Sequence, residues 1–336
     1  MPTDREKKFS ARSTATVASL LSLGGVYAIY LFGFSSNDHE LTTHLDRVNS
    51  TSKASPATKE RRHPIMPMAQ TGDEFTSARF QLRSGQETTT LEAAQRLAAQ
   101  GTPEALHELA ALIAGLPPGA IREQVVRLAS AISNPAAVPA ALKLLQSSAD
   151  AGVIRMCQEI FSKLATTETM QSILDMHDNS TDPALRDRLE RTVATISNEE
   201  ALPALKFVVM DTTMPTTDGM IRASAQALRQ MGTAPAVDAL IERLNSEQSD
   251  AAGGIIAEQI AGIRNPVAEP SLHTAARGNS KFATNVRTRV AAIGALLNHP
   301  SAETQELLGA LSNDPQQEVA SSAKEILSEI QRRLNK

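Results

Sequence analysis

An all-α solenoid of about seven helix pairs is the fold class this sequence predicts, and three observations predict it. A helical phrase of 32 to 35 residues recurs about seven times between Thr102 and Lys336. That is the period at which one helix pair buries its apolar face by stacking on the next. Alanine and leucine dominate while aromatics make up 3% of the 336 residues, which suits short helices in close contact. Within each phrase the apolar residues fall at helical spacing, in one wide stripe.

Composition narrows the function classes. Hydrophobic content of 41% and charged content of 21% are those of a folded chain. The net charge is −4, with +2 on the first 34 residues and about −6 on the repeats. An acidic array argues against nucleic acid as a partner, since phosphate binding needs a basic stripe. Cys157 is the single cysteine, so neither an intramolecular disulfide nor a thiolate metal site is expected.

In chain order, residues 1–13 are a short basic leader with Arg5, Lys7, Lys8 and Arg12. Residues 14–34, TATVASLLSLGGVYAIYLFGF, contain no charge. Twenty-one helical residues span about 30 Å, the thickness of a bilayer core. Tyr27, Tyr30, Phe32 and Phe34 gather at one end, as an interfacial belt does. A cleaved signal peptide would have a shorter apolar region ending in a small-x-small site, and Phe-Gly-Phe-Ser-Ser after Leu31 offers no such pair. The expectation is therefore an uncleaved signal anchor. Positive residues before the span put the N-terminus in the cytoplasm and everything after residue 37 outside it. A bacterial inner membrane and periplasm are the expected setting.

Residues 35–89 are polar and rich in Ser and Thr, with prolines at 56, 64 and 67 that discourage helix. They are expected to be a flexible linker. The repeats are expected from residue 90 to 336, with Thr89 and Glu92 as a capping box before LEAAQRLAAQ and Gly101 as its stop. The first helix of each pair carries apolar residues at relative positions 0, 4, 7, 8 and 11, as in Ile121, Val125, Leu128, Ala129 and Ile132. Leu185, Leu189, Val193 and Ile196 repeat the pattern, as do Val286, Val290, Ile293 and Leu297. The second helix often opens with proline, at Pro139, Pro203 and Pro270, where no needed donor is lost. Asn134-Pro135, Asn198-Glu199, Asn265-Pro266 and His299-Pro300 stop one helix before the next. The copies at Met170–Ile196 and Ala251–Ile263 are degenerate, and Gly253-Gly254 is expected to loosen the array. The end helix, with Lys324, Glu325, Glu329, Arg332 and Arg333, has the charged outer face of a cap.

The clearest copy runs Ile-Arg-x-x-Ala-x-Ala-Leu-x-x-Met-Gly from Ile221 to Gly232, followed by Ala-Val-x-Ala-Leu from Ala236 to Leu240. It resembles the short bacterial-type HEAT-like repeat, the PBS-lyase type. The resemblance covers about three quarters of the chain, specifies the fold closely, and spans many unrelated functions. An arginine follows the first apolar residue of the inner helix at Arg122, Arg155, Arg186, Arg222 and Arg287. In similar repeats that position forms a ladder between repeats. The alternative is a groove in which these five arginines meet an anionic ligand or a protein partner.

Chemistry-bearing motifs are scarce. His39-Glu40 with His44, and Asp175-x-His177-Asp178, lack the i, i+4 pairing that a metal site needs. Neither a nucleophile elbow, a P-loop nor a dinucleotide fingerprint is present. No catalytic residue, cofactor or metal is expected, and the chain is expected to be no enzyme. The function predicted is a membrane-anchored extracytoplasmic scaffold that holds a protein partner on its repeat surface. The alternatives are a lyase-type, chromophore-handling HEAT-repeat enzyme, resembling bilin lyases, and an accessory subunit of a secretion or envelope complex.

Overall fold

The computed structural model describes residues 87–211, 218–247, 249–279 and 285–335. The N-terminal leader, the span at 14–34 and residues 35–86 of the linker lie outside the described residues. Within these bounds the chain is all helix and loop, and no strand occurs among the described residues. No single helix among them is long and apolar enough to cross a membrane.

Fifteen α-helices follow one another in two rows among the described residues. The first row is α1 (Glu87–Gln100), α3 (Ala120–Ser130), α5 (Ala151–Leu164), α7 (Pro183–Ala194), α9 (Asp218–Met231), α11 (Asp250–Ala261), α13 (Val286–Ala295) and α15 (Gln317–Leu334). The second row is α2 (Pro103–Gly115), α4 (Val138–Ser147), α6 (Thr167–Asn179), α8 (Leu202–Met210), α10 (Ala234–Ser246), α12 (Glu269–Arg277) and α14 (Ala302–Leu311). Each first-row helix packs on the next in its row, and most second-row helices do likewise. This is an α-solenoid of seven helix pairs closed by α15. The sparsest first-row contact is α5 on α7.

The core is one continuous cluster between the rows, from Ala93 and Leu97 to Ile326 and Ile330. The predicted stripe holds well on α3 and α7, where Val125, Ala129, Ile132, Leu189, Val193 and Ile196 are fully buried or nearly so. On α13 it does not. Val286, Val290 and Leu297 are only partly buried, while Thr288, Arg289, Ala292 and Leu296 are inside. The reason is that α13 touches α10, α11, α12 and α15, so one stripe cannot face them all.

Helix starts follow the expected chemistry. Thr102, Asp150, Thr166 and Asp182 accept hydrogen bonds from first-turn amides, and Pro139, Pro203 and Pro270 sit in the opening turns of α4, α8 and α12. Glu87 is already helical, so Thr89 lies inside the helix and not at a capping box. The suspected loosening at Gly253-Gly254 is absent too: α11 runs unbroken through both glycines. A Cβ at 253 would overlap the Arg287 guanidinium, so this glycine makes room for a neighbouring side chain.

The turns show a periodicity the sequence phrase concealed. Gly101-Thr102, Ala165-Thr166 and Gly232-Thr233 make tight connections, whereas Asn134, Asn198 and Asn265 each open a 3-10 turn. The two kinds alternate. Each asparagine side-chain Oδ1 accepts the amide two residues on, and each Nδ2 donates back to the previous turn. The acceptors are the carbonyls of Gln100 at 3.4 Å, Ala165 at 2.9 Å and Met231 at 2.8 Å. One clamp therefore recurs every 64 to 67 residues, so the structural unit is two helix pairs. In the last pair, 33 residues after Asn265 and so out of this period, Asn298 donates to the carbonyls of Ala261 at 3.2 Å and Ile263 at 3.1 Å.

Candidate functional site

The first-row surface is the candidate site, because the arginine series lies there. Arg122 of α3 donates to Asp150 at 2.6 Å, with both side chains mostly buried. Asp150 also accepts the amides of Gly152 at 2.9 Å and Val153 at 3.0 Å. Burial raises the Asp150 carboxyl, but those amides and Arg122 outweigh it and hold it below its usual range. Arg155 of α5 reaches back to Glu123 of α3 at 2.5 Å, and Arg222 of α9 reaches Glu258 of α11 at 3.4 Å. Arg287 donates to the Ser249 carbonyl at 3.4 Å. Four of the five arginines thus join successive first-row helices. Arg186 differs: its Nε is buried without a hydrogen-bond partner.

The pairs differ in strength. Arg155–Glu123 and Arg222–Glu258 are exposed, and such pairs contribute about 0–1 kcal/mol. Their charges change partners at little cost. Arg122–Asp150 is sheltered and also secures the start of α5, so it is a structural joint. Around the exposed pairs lie Arg127, Glu159, Asp187 and Arg191, all solvent-facing. A strip of both signs therefore runs across α3, α5, α7 and α9.

Two contacts near α7 had no signature in the sequence. Arg188 donates from Nη1 to the Leu145 carbonyl at 2.7 Å and the Ser148 carbonyl at 2.6 Å, tying α7 to the end of α4. His177, at 2% exposure, lies 3.2 Å from Asp178 Oδ1 and 3.2 Å from Glu190 Oε1. It therefore joins α6 to α7. The Asp175-x-His177-Asp178 cluster does not converge, since Asp175 accepts from Gln171 at 2.9 Å. No group of three or more His, Cys, Asp or Glu gathers at a metal position among the described residues. His39 and His44 lie outside the described residues.

Cys157 faces the core of α5 with no solvent exposure, and burial pushes its thiol up to about 12. The native protein is expected to leave a thiol reagent unreacted at pH 8 and to consume one equivalent in denaturant. Mass spectrometry of the adduct, folded against unfolded, checks this.

No family model and no curated protein matches the chain. Solved structures do. Human deoxyhypusine hydroxylase in complex with glycerol is 16% identical, covering 77% of this chain and 96% of its own, at a TM-score of 0.31. The complex of CpcE and CpcF of phycocyanin lyase from a Nostoc species is 17% identical, covering 82% and 100%, at a TM-score of 0.22. A computationally designed self-assembling cyclic homo-oligomer is 18% identical, covering 78% and 90%, at a TM-score of 0.17. The first of these is a hydroxylase and the second a complex of a lyase. The expectation that the chain is no enzyme is corrected accordingly, and the fold class gives no ground for excluding catalysis.

Proposed function

We propose that the chain is a scaffold built of HEAT-like repeats of the short bacterial type, which binds a protein partner along its first-row helices. The observation that carries this reading is the exposed strip of both charge signs on α3, α5, α7 and α9. Weakly paired charges spread over four helices suit an extended protein surface, where electrostatic complementarity fixes register and partner choice. The uncharged stretch 14–34 would anchor the array to a bilayer, with the repeats on the extracytoplasmic side. An accessory role in an envelope complex uses the same surface.

The test is crosslinking of the full chain in intact cells, with photoreactive residues at positions 127, 159 and 191. One protein is expected at all three positions, and the double variant D187R/R191E is expected to lose it at least tenfold. Absence of any adduct, or adducts indifferent to that reversal, would sink the reading. The topology has a separate test: a reporter active only outside the cytoplasm, fused after Lys336, is expected to be active.

A further inference from the structure

Between the last two helix pairs lies a polar cluster in which His273 and Thr304 are buried and Glu269 and Ser301 partly buried. Glu269 and His273 stand one turn apart on α12, both facing the start of α14. Ser301 caps α14, accepting the Thr304 amide at 3.0 Å while its hydroxyl donates to Glu269 Oε1. The Thr304 hydroxyl also donates to Glu269 Oε1, at 3.0 Å. Its proton is thus committed, so at 2.7 Å it accepts from His273 Nε2. His273 is buried, as are Thr304 and His299, whose Nε2 faces the Ile263 carbonyl at 3.3 Å. Apart from this cluster the backbones of α12 and α14 make few close approaches.

We propose that Glu269, His273, Ser301 and Thr304 form an acid-sensitive latch, closed at neutral pH and released on acidification, which sets whether the last helix pair holds to the pair before it. Closure needs a carboxylate at Glu269 to accept two hydroxyls and a neutral imidazole at His273 to donate once. The groups acting on the imidazole are Glu269 and Arg277 from its own helix, Glu303 from α14 and His299 from the turn before α14. Burial lowers the His273 imidazole below its ordinary 6.5, and Glu269 offsets this only in part. A second proton on the ring is thus disfavoured while the latch is closed. The opened latch exposes His273 to water, where it titrates near 6.5. Opening accordingly becomes easier as pH falls from about 6.5. Burial also raises the Glu269 carboxyl, but the hydrogen bonds from Ser301 and Thr304 oppose it, and the carboxyl lies below its ordinary 4.5. Its contribution is present above 4.5 and lost in stronger acid, so both groups weaken the latch in the same direction.

The experiment is hydrogen exchange on the full chain at pH 7.5 and 5.5, corrected for intrinsic exchange rates. Protection of α14 is expected to fall several-fold at pH 5.5, while protection of α3 stays level. His273→Gln keeps a donor to Thr304 and removes the titration, so it is expected to abolish the pH dependence. Equal losses in α3 and α14, no loss in either, or the same loss in H273Q would overturn the latch. Should H273Q fail to fold, the wild-type imidazole resonance serves instead. Its midpoint is expected to coincide with the loss of α14 protection, and a separation of the two overturns the proposal.

Discussion

Arg289→Ala is expected to destabilise the C-terminal repeats by about 3–5 kcal/mol, the cost of breaking a buried ion pair by removing one partner. The guanidinium meets Asp314 through both nitrogens, one of them 3.2 Å from Oδ1. It also donates to the Ala276 carbonyl at 3.0 Å and to Gln316 Oε1 at 2.8 Å. Both side chains of the ion pair are about nine-tenths buried. One residue thus ties α13 to the end of α12 and to the loop before α15, and truncation strands a carboxylate and a carbonyl away from water. The Arg289 hydrogen bond holds the Asp314 carboxyl below its ordinary range against the opposing effect of burial. The pair therefore stabilises the fold above pH 3.8 and is lost as pH falls through the folded value. Urea unfolding followed by hydrogen exchange is expected to place the damage in α12 to α15. Loss of less than 1 kcal/mol would mean that the pair is solvated.

Gly232→Ala is expected to cost about 2–4 kcal/mol. Gly232 has φ +57, and a residue with a Cβ pays roughly 1–2 kcal/mol there. The new Cβ would also overlap the Asn265 Cβ and lie 3.1 Å from its Cγ. Asn265 is the residue that clamps the Met231 carbonyl, and displacing it forfeits a bond worth about 1 kcal/mol and strands its acceptor. Gly309→Ala is the control: this helical glycine has open space at its Cβ, so alanine is expected to be neutral or stabilising by up to about 1 kcal/mol. Denaturant midpoints of the two variants decide the matter, and equal midpoints would remove the clamp's role.

The two glycines show what local sequence conveys. Gly101 reads as a helix stop and is one, at φ +57, because positive φ is a property of the residue itself. Gly253 reads as a weak point, yet α11 is continuous there, because its purpose is set by Arg287 some thirty residues away. The candidate surface divides in the same way. The arginine spacing was visible in the chain, and four of its members do bridge neighbouring helices. The contacts of Arg188 and His177 across helices were invisible, since their partners at residues 145, 148 and 190 share no sequence spacing with the repeat.

What the sequence by itself determined is the helix-pair array: apolar spacing, proline starts and asparagine turns act within a few residues, where backbone geometry and burial leave little choice. What only the tertiary structure decided is how successive pairs are joined. The doubled period of the asparagine clamp, the four-sided packing of α13, the Arg289–Asp314 tie and the Glu269–His273 latch all bring together residues from different turns of the solenoid. Such contacts depend on distance and angle between helices, which packing sets and no periodicity within one helix encodes.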